Sequence, residues 1–260
     1  MNWSRYSNVA VALLVLVSVA AVPVAAVSVS ADNAPNAVQV GATQDVTFTF
    51  TDLYTNYDQW TLKGHTDLKQ VTWTVTTYDL GGAQLRQVQY NAQNFSHPIS
   101  KSEDVAKVTV RLQGTTPQWS DWSYKPPQNL TLARFAEVQQ GGASSVLETY
   151  SARPYTTASQ QARNAISQAQ AAIDEARAAG ANTEEASSLI DNAISAYNNG
   201  NFQNAENLAN QAQNKAQASM QSTQRRSMLL YAGAGIVGLL VVIGLVYWYL
   251  QQRDTYDKLG

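Results

Sequence analysis

The sequence predicts an α+β multidomain membrane protein. Its parts are an antiparallel β-sandwich of immunoglobulin-like type, an Ala-rich antiparallel three-helix bundle and one transmembrane helix. Three observations predict this fold class: residues 46–51 alternate apolar side chains with threonine, alanines recur at heptad spacing between residues 162 and 216, and residues 228–250 form an apolar run without charge. These patterns are typical of half-buried strands, packed helices and a membrane span, respectively.

The first 31 residues have the pattern of a secretory signal peptide. A short polar start containing Arg5 precedes an apolar run at residues 9–27, and the small residues 29–31 precede Asp32. An uncleaved N-terminal anchor is the alternative, because the apolar run is long for a signal. Both interpretations place the chain from residue 32 onward outside the cell and the C-terminus in the cytoplasm.

Residues 36–155 are predicted to form the β-sandwich. Clean alternation occurs at residues 46–51, 71–76 and 108–112, and weaker candidate strands are residues 84–90, 130–138 and 145–150. Because side chains of a strand point alternately to opposite faces, Val46, Phe48 and Phe50 should lie in the core. Trp73, in the middle of a predicted strand, should be a core tryptophan. The usual inter-sheet disulfide is excluded, since the chain has no cysteine.

Residues 156–225 are predicted to form the helical bundle, or stalk. Three apolar seams repeat at helical spacing: Ala162, Ile166, Ala169, Ile173 and Ala176; then Ala186, Ile190, Ala193 and Tyr197; then Phe202, Ala205, Ala209, Ala212 and Ala216. Short breaks at residues 180–182 and 198–201 imply antiparallel neighbours, and alanine lets helix axes approach closely. An extended Ala/Gln-rich linker is the alternative.

The run from residue 228 to residue 250 is predicted to be a transmembrane helix, followed by a cytoplasmic tail at residues 251–260. About 23 residues at about 1.5 Å each give roughly 34 Å, enough to cross a hydrocarbon core of about 30 Å. Ala234, Gly235 and Gly238 could pack against a second helix, which would make a homo-oligomer through the span. The predicted localisation is a single pass through the plasma membrane, with membrane lipid as a partner.

Residues 194–205 carry a short pattern of Tyr197, Gly200, Phe202 and Ala205. The pattern resembles a tetratricopeptide-like turn. It is equally similar to helical hairpins next to the C-terminal anchor of archaeal-type membrane-anchored cell-surface proteins, which have a β-sandwich ectodomain and an Ala-rich helical stalk. The resemblance implies architecture and supplies no functional residue. The chain departs from salt-adapted members in being far less acidic.

Composition and motifs point away from catalysis and from nucleic acid. The net charge is −2 with 14% charged residues, which is not the basic footprint of a nucleic-acid-binding protein. A hydrolytic triad could be assembled from His65, Asp67 and a serine, but no nucleophile elbow accompanies it. His65 and His97 lack a zinc motif, and Asp52, Asn56 and Asp58 lack EF-hand spacing. We therefore expect no catalytic residue, no metal and no cofactor.

Aromatic loop residues are the candidate ligand-binding or partner-binding residues. Tyr54, Tyr57 and Trp60 crowd one predicted loop, and Trp119, Trp122 and Tyr124 crowd another. Such rings stack on sugars or anchor protein interfaces, or alternatively close the ends of the sandwich. Asn94 and Asn129 begin sequons for N-glycosylation.

The function that the sequence favours is that of a cell-surface glycoprotein. Its extracellular sandwich would bind an envelope protein or glycan, or have a structural or adhesive role. The alternative is an accessory subunit of a membrane enzyme, transporter or sensor complex that acts through the transmembrane helix.

Overall fold

The computed structural model describes residues 27–139 and 141–253. The described residues contain ten strands: β1 (Ser28–Asp32), β2 (Ala37–Gln39), β3 (Thr43–Thr51), β4 (Gln59–His65), β5 (Lys69–Tyr78), β6 (Gln84–Tyr90), β7 (Asn94–Ser100), β8 (Lys107–Thr115), β9 (Leu130–Val138) and β10 (Ser144–Tyr155). A 3₁₀ turn, Lys101–Glu103, follows β7. The helices are α1 (Thr157–Ala178), α2 (Glu184–Asn198) and α3 (Phe202–Arg253).

The strands form two five-stranded sheets. The first has the order β1-β3-β8-β5-β6 and the second β2-β10-β9-β4-β7. Strand β2 pairs with β10 in parallel, and the other pairings are antiparallel. The sheets share one core, where Phe135 of the second sheet contacts Phe48, Phe50 and Trp73 of the first at ring-centroid distances of 4.8, 4.9 and 6.0 Å. The ten strands therefore form a two-sheet sandwich.

The predicted alternation is confirmed at the level of single residues. Val46, Phe48 and Phe50 are 2%, 0% and 0% exposed, as their shared face requires. Trp73 is fully buried, and its indole N–H donates to the carbonyl of Ala92 at 3.0 Å. The three weaker candidates lie within β6, β9 and β10. Burial of one face thus fixes the register of β3 and β5.

The first strand overlaps the segment predicted to be a signal. Residues 1–26 lie outside the described residues, but Val27 is 5% exposed and Ser28–Asp32 pairs with β3. Cleavage after Ala31 would therefore remove most of β1 from the edge of the first sheet.

Three helices follow the sandwich and pack on one another through small residues. Helix α1 begins with a capping box, in which the Thr156 and Ser159 side chains each accept a bond from the other's backbone N–H. All four predicted alanines of the third seam, Ala205, Ala209, Ala212 and Ala216, are 0% exposed, and the predicted seam residues of α1 and α2 are at most 5% exposed. Alanine at these positions lets α1 and α2 approach α3 closely.

The predicted fold class is wrong in its helical part. It separated a bundle at residues 156–225 from a transmembrane helix at residues 228–250. The structure instead has one 52-residue helix, α3, with two shorter helices packed along its N-terminal part. No glycine or proline lies between Phe202 and Met228 to end the helix, so it continues through the predicted boundary.

The membrane assignment is also corrected. None of the helices in the described part of the chain combines the length and the apolarity that crossing a membrane requires. The predicted transmembrane helix and the predicted single-pass plasma-membrane localisation are therefore not supported. Described side chains in α3 between Leu239 and Tyr249 are 52–69% exposed where they are large and apolar. Residues 254–260 of the predicted tail lie outside the described residues.

Gly64 lies where the sandwich has no room for a side chain. It faces inward on β4, directly opposite Phe95 of β7, and a methyl group added there would overlap the Phe95 ring. By contrast, a methyl group at Gly81 would come no closer than 3.4 Å to the Asp79 carboxylate.

We predict that Gly64→Ala lowers the free energy of unfolding by about 1–3 kcal/mol, because overpacking forces the ring or the strand to move. Urea denaturation monitored by tryptophan fluorescence measures the change. Gly81→Ala is the control and should have little effect, and Phe95→Leu should recover part of the loss in the double variant. Equal stabilities for Gly64→Ala and the wild type would contradict this account.

His97 closes one side edge of the sandwich together with Tyr90. The ring is 3% exposed, and the Tyr90 hydroxyl lies 2.8 Å from its Nδ1, within hydrogen-bond distance. These residues lie on β7 and β6, the edge strands of the two sheets. Burial lowers the pKa of His97, and the positive charge of Arg86 lowers it further, while Glu103 has the opposite effect. The folded protein therefore holds this imidazole neutral.

This lowered pKa predicts a loss of stability in acid. Between the folded pKa and the unfolded value of about 6.5, the unfolded chain binds more protons. The contribution of His97 is complete above that pH range and is lost as the pH falls through it. His97→Gln keeps an amide that can hydrogen-bond to Tyr90 without titrating, so the unfolding free energy of this variant should fall less steeply from pH 7 to pH 5. Parallel slopes in urea titrations would refute the assignment.

Candidate functional site

The first predicted aromatic group lies at one end of the sandwich core. Trp60 is only 3% exposed, and its indole N–H donates to the carbonyl of Leu53 at 2.8 Å. Tyr54 and Tyr57 are half-buried and pack against the same core. Burial raises the pKa of Tyr54 to about 12, with the charges of Glu103, Asp104 and Asp58 adding to the rise. These rings close the core, and Trp60 has no free face for a ligand.

A buried carboxylate lies beneath this loop, and sequence reasoning missed it. Glu137 is 2% exposed, and its Oε2 accepts a bond from the Asn56 amide at 3.2 Å. Its Oε1 and the Tyr54 hydroxyl have no hydrogen-bond partner among the described residues. The alternation of β9 could have predicted this burial, because Glu137 is two residues from Phe135 and therefore shares its inward face.

The second predicted aromatic group is divided between the sandwich and the helices. Trp119 is half-buried against the sandwich core, and its indole N–H donates to the carbonyl of Asp121 at 2.9 Å. Trp122 and Tyr124 instead pack against the buried residues of the helices. The loop between β8 and β9 thus contributes aromatic rings to the sandwich core and to the helical core.

A cluster of rings around one guanidinium joins this loop to the helices. We call it the junction cluster, and it consists of Trp122, Tyr124, Arg163, Tyr197 and Phe202. Trp122 meets Phe202 edge to face at 4.9 Å, and Tyr124 meets Tyr197 at 5.8 Å. The guanidinium carbon of Arg163 lies 4.6 Å from the Tyr124 ring centre and 5.3 Å from that of Tyr197.

Directional hydrogen bonds reinforce the junction cluster. Arg163 Nη2 donates to the carbonyls of Ser123 and Tyr124 at 3.1 and 2.8 Å. The Tyr124 backbone N–H donates to Asn198 Oδ1 at 2.8 Å, and its hydroxyl donates to Gln170 Oε1 at 3.0 Å. Because Arg163, Tyr197 and Phe202 belong to α1, α2 and α3 respectively, one loop is fixed to all three helices.

The sequons and the predicted helix-packing residues have different surroundings. Asn94 and Asn129 are both exposed, and Asn94 Oδ1 lies 2.8 Å from His65 Nδ1. Whether either is glycosylated stays a prediction. The surroundings of Ala234 and Gly235 lie outside the described side chains, and a methyl group at Gly238 would meet nothing within 4 Å among the described atoms. Their role in membrane packing depended on the span that the structure does not support.

An open groove crosses the outer face of the second sheet. Its volume is about 460 Å³, within the range of ligand sites. We call it the sheet groove, and the residues that characterise it are Lys63, His65, Asn94, Ser96, Arg134 and Val146. They come from β4, β7, β9 and β10, four consecutive strands of the sheet. His65 lies directly opposite both Asn94 and Arg134, and Lys63 lies opposite Ser96.

The polar groups of the sheet groove are arranged by hydrogen bonds. His65 Nε2 lies 3.3 Å from Asp67 Oδ1, and Asp67 Oδ2 accepts a bond from the Thr131 backbone N–H at 2.7 Å. The second ring nitrogen contacts Asn94. In a catalytic triad that nitrogen would face a serine hydroxyl. The geometry therefore makes His65 a polar residue that lines the groove, with its ring orientation fixed by Asn94 and Asp67.

In two other grooves the cation that lines the groove is paired with a carboxylate. A groove of about 630 Å³ between α2 and α3 contains Lys215 and Glu185, which form an ion pair at 2.8 Å. A smaller groove beside β7 contains Lys101 and Asp58, paired at 3.2 Å. Among the described residues, no group of three or more His, Cys, Asp or Glu side chains could hold a metal ion.

Sequence reasoning named two members of the sheet groove, His65 and Asn94, for other roles, and missed Lys63 and Arg134. The signal was present in β4, where Thr61, Lys63 and His65 alternate with the buried Trp60, Leu62 and Gly64. Arg134 is the exposed residue of β9 opposite His65, which requires knowledge of strand pairing.

Comparisons with known proteins leave the family of this chain open. No protein-family model and no curated protein matches the sequence. A DUF4466 family protein from Parabacteroides merdae is 14% identical with a TM-score of 0.29, and the match covers 50% of this chain and 46% of that one, less than half its length. AvmM, which catalyses macrocyclization in alchivemycin A biosynthesis, is 10% identical over 49% and 88% of the two chains, with a TM-score of 0.27.

The CBM51-2 and INT domains from Clostridium perfringens ZmpB are 15% identical over 75% and 43% of the two chains, with a TM-score of 0.17. Likeness at these TM-scores carries no argument about function.

We predict that Arg163→Gln loosens the junction cluster and lowers the free energy of unfolding by about 1–3 kcal/mol. The variant loses the contacts with two rings and leaves two carbonyls without their donor. Urea denaturation measures the stability, and limited proteolysis measures exposure of residues 117–128. Arg177→Gln is the control, because its exposed pair with Asp174 contributes little. Identical behaviour of the two variants would contradict the role of Arg163.

Proposed function

We propose that the protein is a non-catalytic binding module whose sandwich recognises a glycan. The helices hold the sandwich in one orientation while the outer face of the second sheet makes the contact. The observation that carries this proposal is the sheet groove, an open groove of about 460 Å³ on the outer face of the second sheet. The junction cluster supports the orienting role of the helices. It fixes a loop of the sandwich to all three helices, with Tyr124 N–H bonded to Asn198 at 2.8 Å and Arg163 bonded to the Tyr124 carbonyl at 2.8 Å.

The chemistry of the sheet groove supports a glycan as the class of ligand. Asn94, Ser96 and Ser144 provide an amide and two hydroxyl groups, and Val146, 48% exposed, provides a small apolar surface. Sugars need this combination, because hydroxyl groups seek hydrogen bonds while the C–H faces of the ring pack on apolar groups. The groove is open along the sheet face, which suits a chain better than an enclosed small molecule.

The test is affinity electrophoresis of the full-length protein in gels that contain neutral or acidic polysaccharides. We expect that at least one polysaccharide retards the protein, while incubation with that polysaccharide releases no new reducing ends. Retardation reports binding, and the reducing-end assay reports cleavage. No retardation by any member of the panel would overturn the proposal of a glycan-binding module, and release of reducing ends would overturn its non-catalytic part.

A further inference from the structure

We propose that the sheet groove binds an acidic polysaccharide, with Lys63 and Arg134 as the residues that contact its carboxylate or sulfate groups. This inference rests on the proposed function and adds to it the charge of the ligand and the residues that recognise it. The juxtaposition that carries it is two exposed cations on adjacent strands of one groove, neither of which has an ion-pair partner among the described residues.

The charged side chains that line the sheet groove are basic. Its described lining residues include Lys63, His65 and Arg134 and no aspartate or glutamate. Within the described part of the chain, neither Lys63 nor Arg134 has an ion-pair partner. Four exposed cations elsewhere do have a carboxylate partner, namely Lys101, Arg111, Arg177 and Lys215. The groove is thus a local region of positive charge on a chain whose net charge is −2.

The two cations of the sheet groove lie close together and face the same side of the sheet. Arg134 lies opposite His65, two residues along β4 from Lys63, so the two cations are diagonal neighbours about 7–8 Å apart at their backbones. His65 lies directly opposite Arg134 and two residues along β4 from Lys63, and its ring is oriented by Asn94 and Asp67. The Asp67 carboxylate lies beside the groove, where His65 and the Thr131 N–H engage it. Both cations can therefore reach one extended anionic chain.

The lining of the sheet groove suits a polysaccharide better than a nucleic acid or a protein partner. Single-stranded nucleic acids need exposed aromatic rings on which bases stack, and the aromatic residue that lines the groove, Phe95, is 4% exposed and faces the core. A protein partner needs an apolar centre to its interface, whereas Val146 is the exposed large apolar side chain in this lining. Hydroxyl and amide groups beside two cations match an acidic sugar.

The test uses full-length protein from a host without N-glycosylation, so that no glycan on Asn94 occupies the groove. Affinity electrophoresis is run with polygalacturonate, chondroitin sulfate and neutral dextran. We expect retardation by one or both acidic polysaccharides and none by dextran. Lys63→Gln combined with Arg134→Gln should weaken binding by about tenfold or more, because charge-assisted hydrogen bonds are lost. Each single variant should have an intermediate effect, and 0.5 M NaCl should weaken wild-type binding by screening.

The matched control removes the same charge from the opposite sheet. Lys69 and Arg86 are exposed on β5 and β6 and form no ion pair within the described residues. The double variant Lys69→Gln and Arg86→Gln should bind as the wild type does, and thermal unfolding checks that all variants are folded. Equal loss in both double variants would show that net charge, and not the groove, governs binding, and would overturn the inference.

The remaining outcomes separate this inference from the proposed function. Retardation by dextran alone would overturn the acidic ligand while leaving a glycan-binding module in place. Undiminished binding of an acidic polysaccharide by the groove variant would overturn the site but not the function. Equal affinity for polyglutamate or single-stranded DNA would overturn the polysaccharide as the ligand class. Failure to bind any polysaccharide would overturn both proposals.

Discussion

The packing of Phe135 against three aromatic rings of the opposite sheet is the interaction on which the rest of the structure depends. Its distances of 4.8, 4.9 and 6.0 Å to Phe48, Phe50 and Trp73 tie the two sheets together at their centre. Aromatic pairs combine large buried area with preferred edge-to-face geometry. Because strands alternate their faces, burying Phe135 inward obliges Arg134 to point outward.

The same alternation constrains β4, the neighbour of β9 in the second sheet. Trp60, Leu62 and Gly64 are buried, so Lys63 and His65 lie on the outer face beside Arg134. Gly64 is essential to this arrangement, since the Phe95 ring fills the space that a side chain would need. The groove on the outside is therefore a consequence of how the inside is packed. A shift of one residue in either strand would reverse both faces.

The junction cluster connects the sandwich to a second, very different core. The sandwich core is built from large aromatic and branched side chains, and the helical core from alanine with a few isoleucines and Tyr197. Arg163 bridges them by placing one charge over two rings while donating to two carbonyls. Such a contact is directional, so it restrains orientation more strongly than apolar packing alone.

Sequence by itself determined the periodic elements. Alternating strands such as β3, β5 and β8, and the seams of the three helices, were predicted with their buried residues, because burial of one face imposes a period that a single chain displays. Strands β4 and β7 were not predicted, because β4 ends in Gly64-His65 and β7 contains Pro98, and glycine and proline are uncommon in strands. Proline is tolerated in β7 because β7 is an edge strand. The membrane span predicted from composition was not supported by the described helices.

Only the tertiary structure decided which distant residues meet. Trp60 and Trp122 were both predicted to be loop aromatics, yet Trp60 closes the sandwich and Trp122 packs on Phe202 of α3. Lys63 and Arg134 are 71 residues apart and have no sequence pattern in common; the register of β4 with β9 brings them into one groove. Periodicity depends on local backbone geometry, whereas partner choice depends on long-range pairing, which a lone sequence does not display.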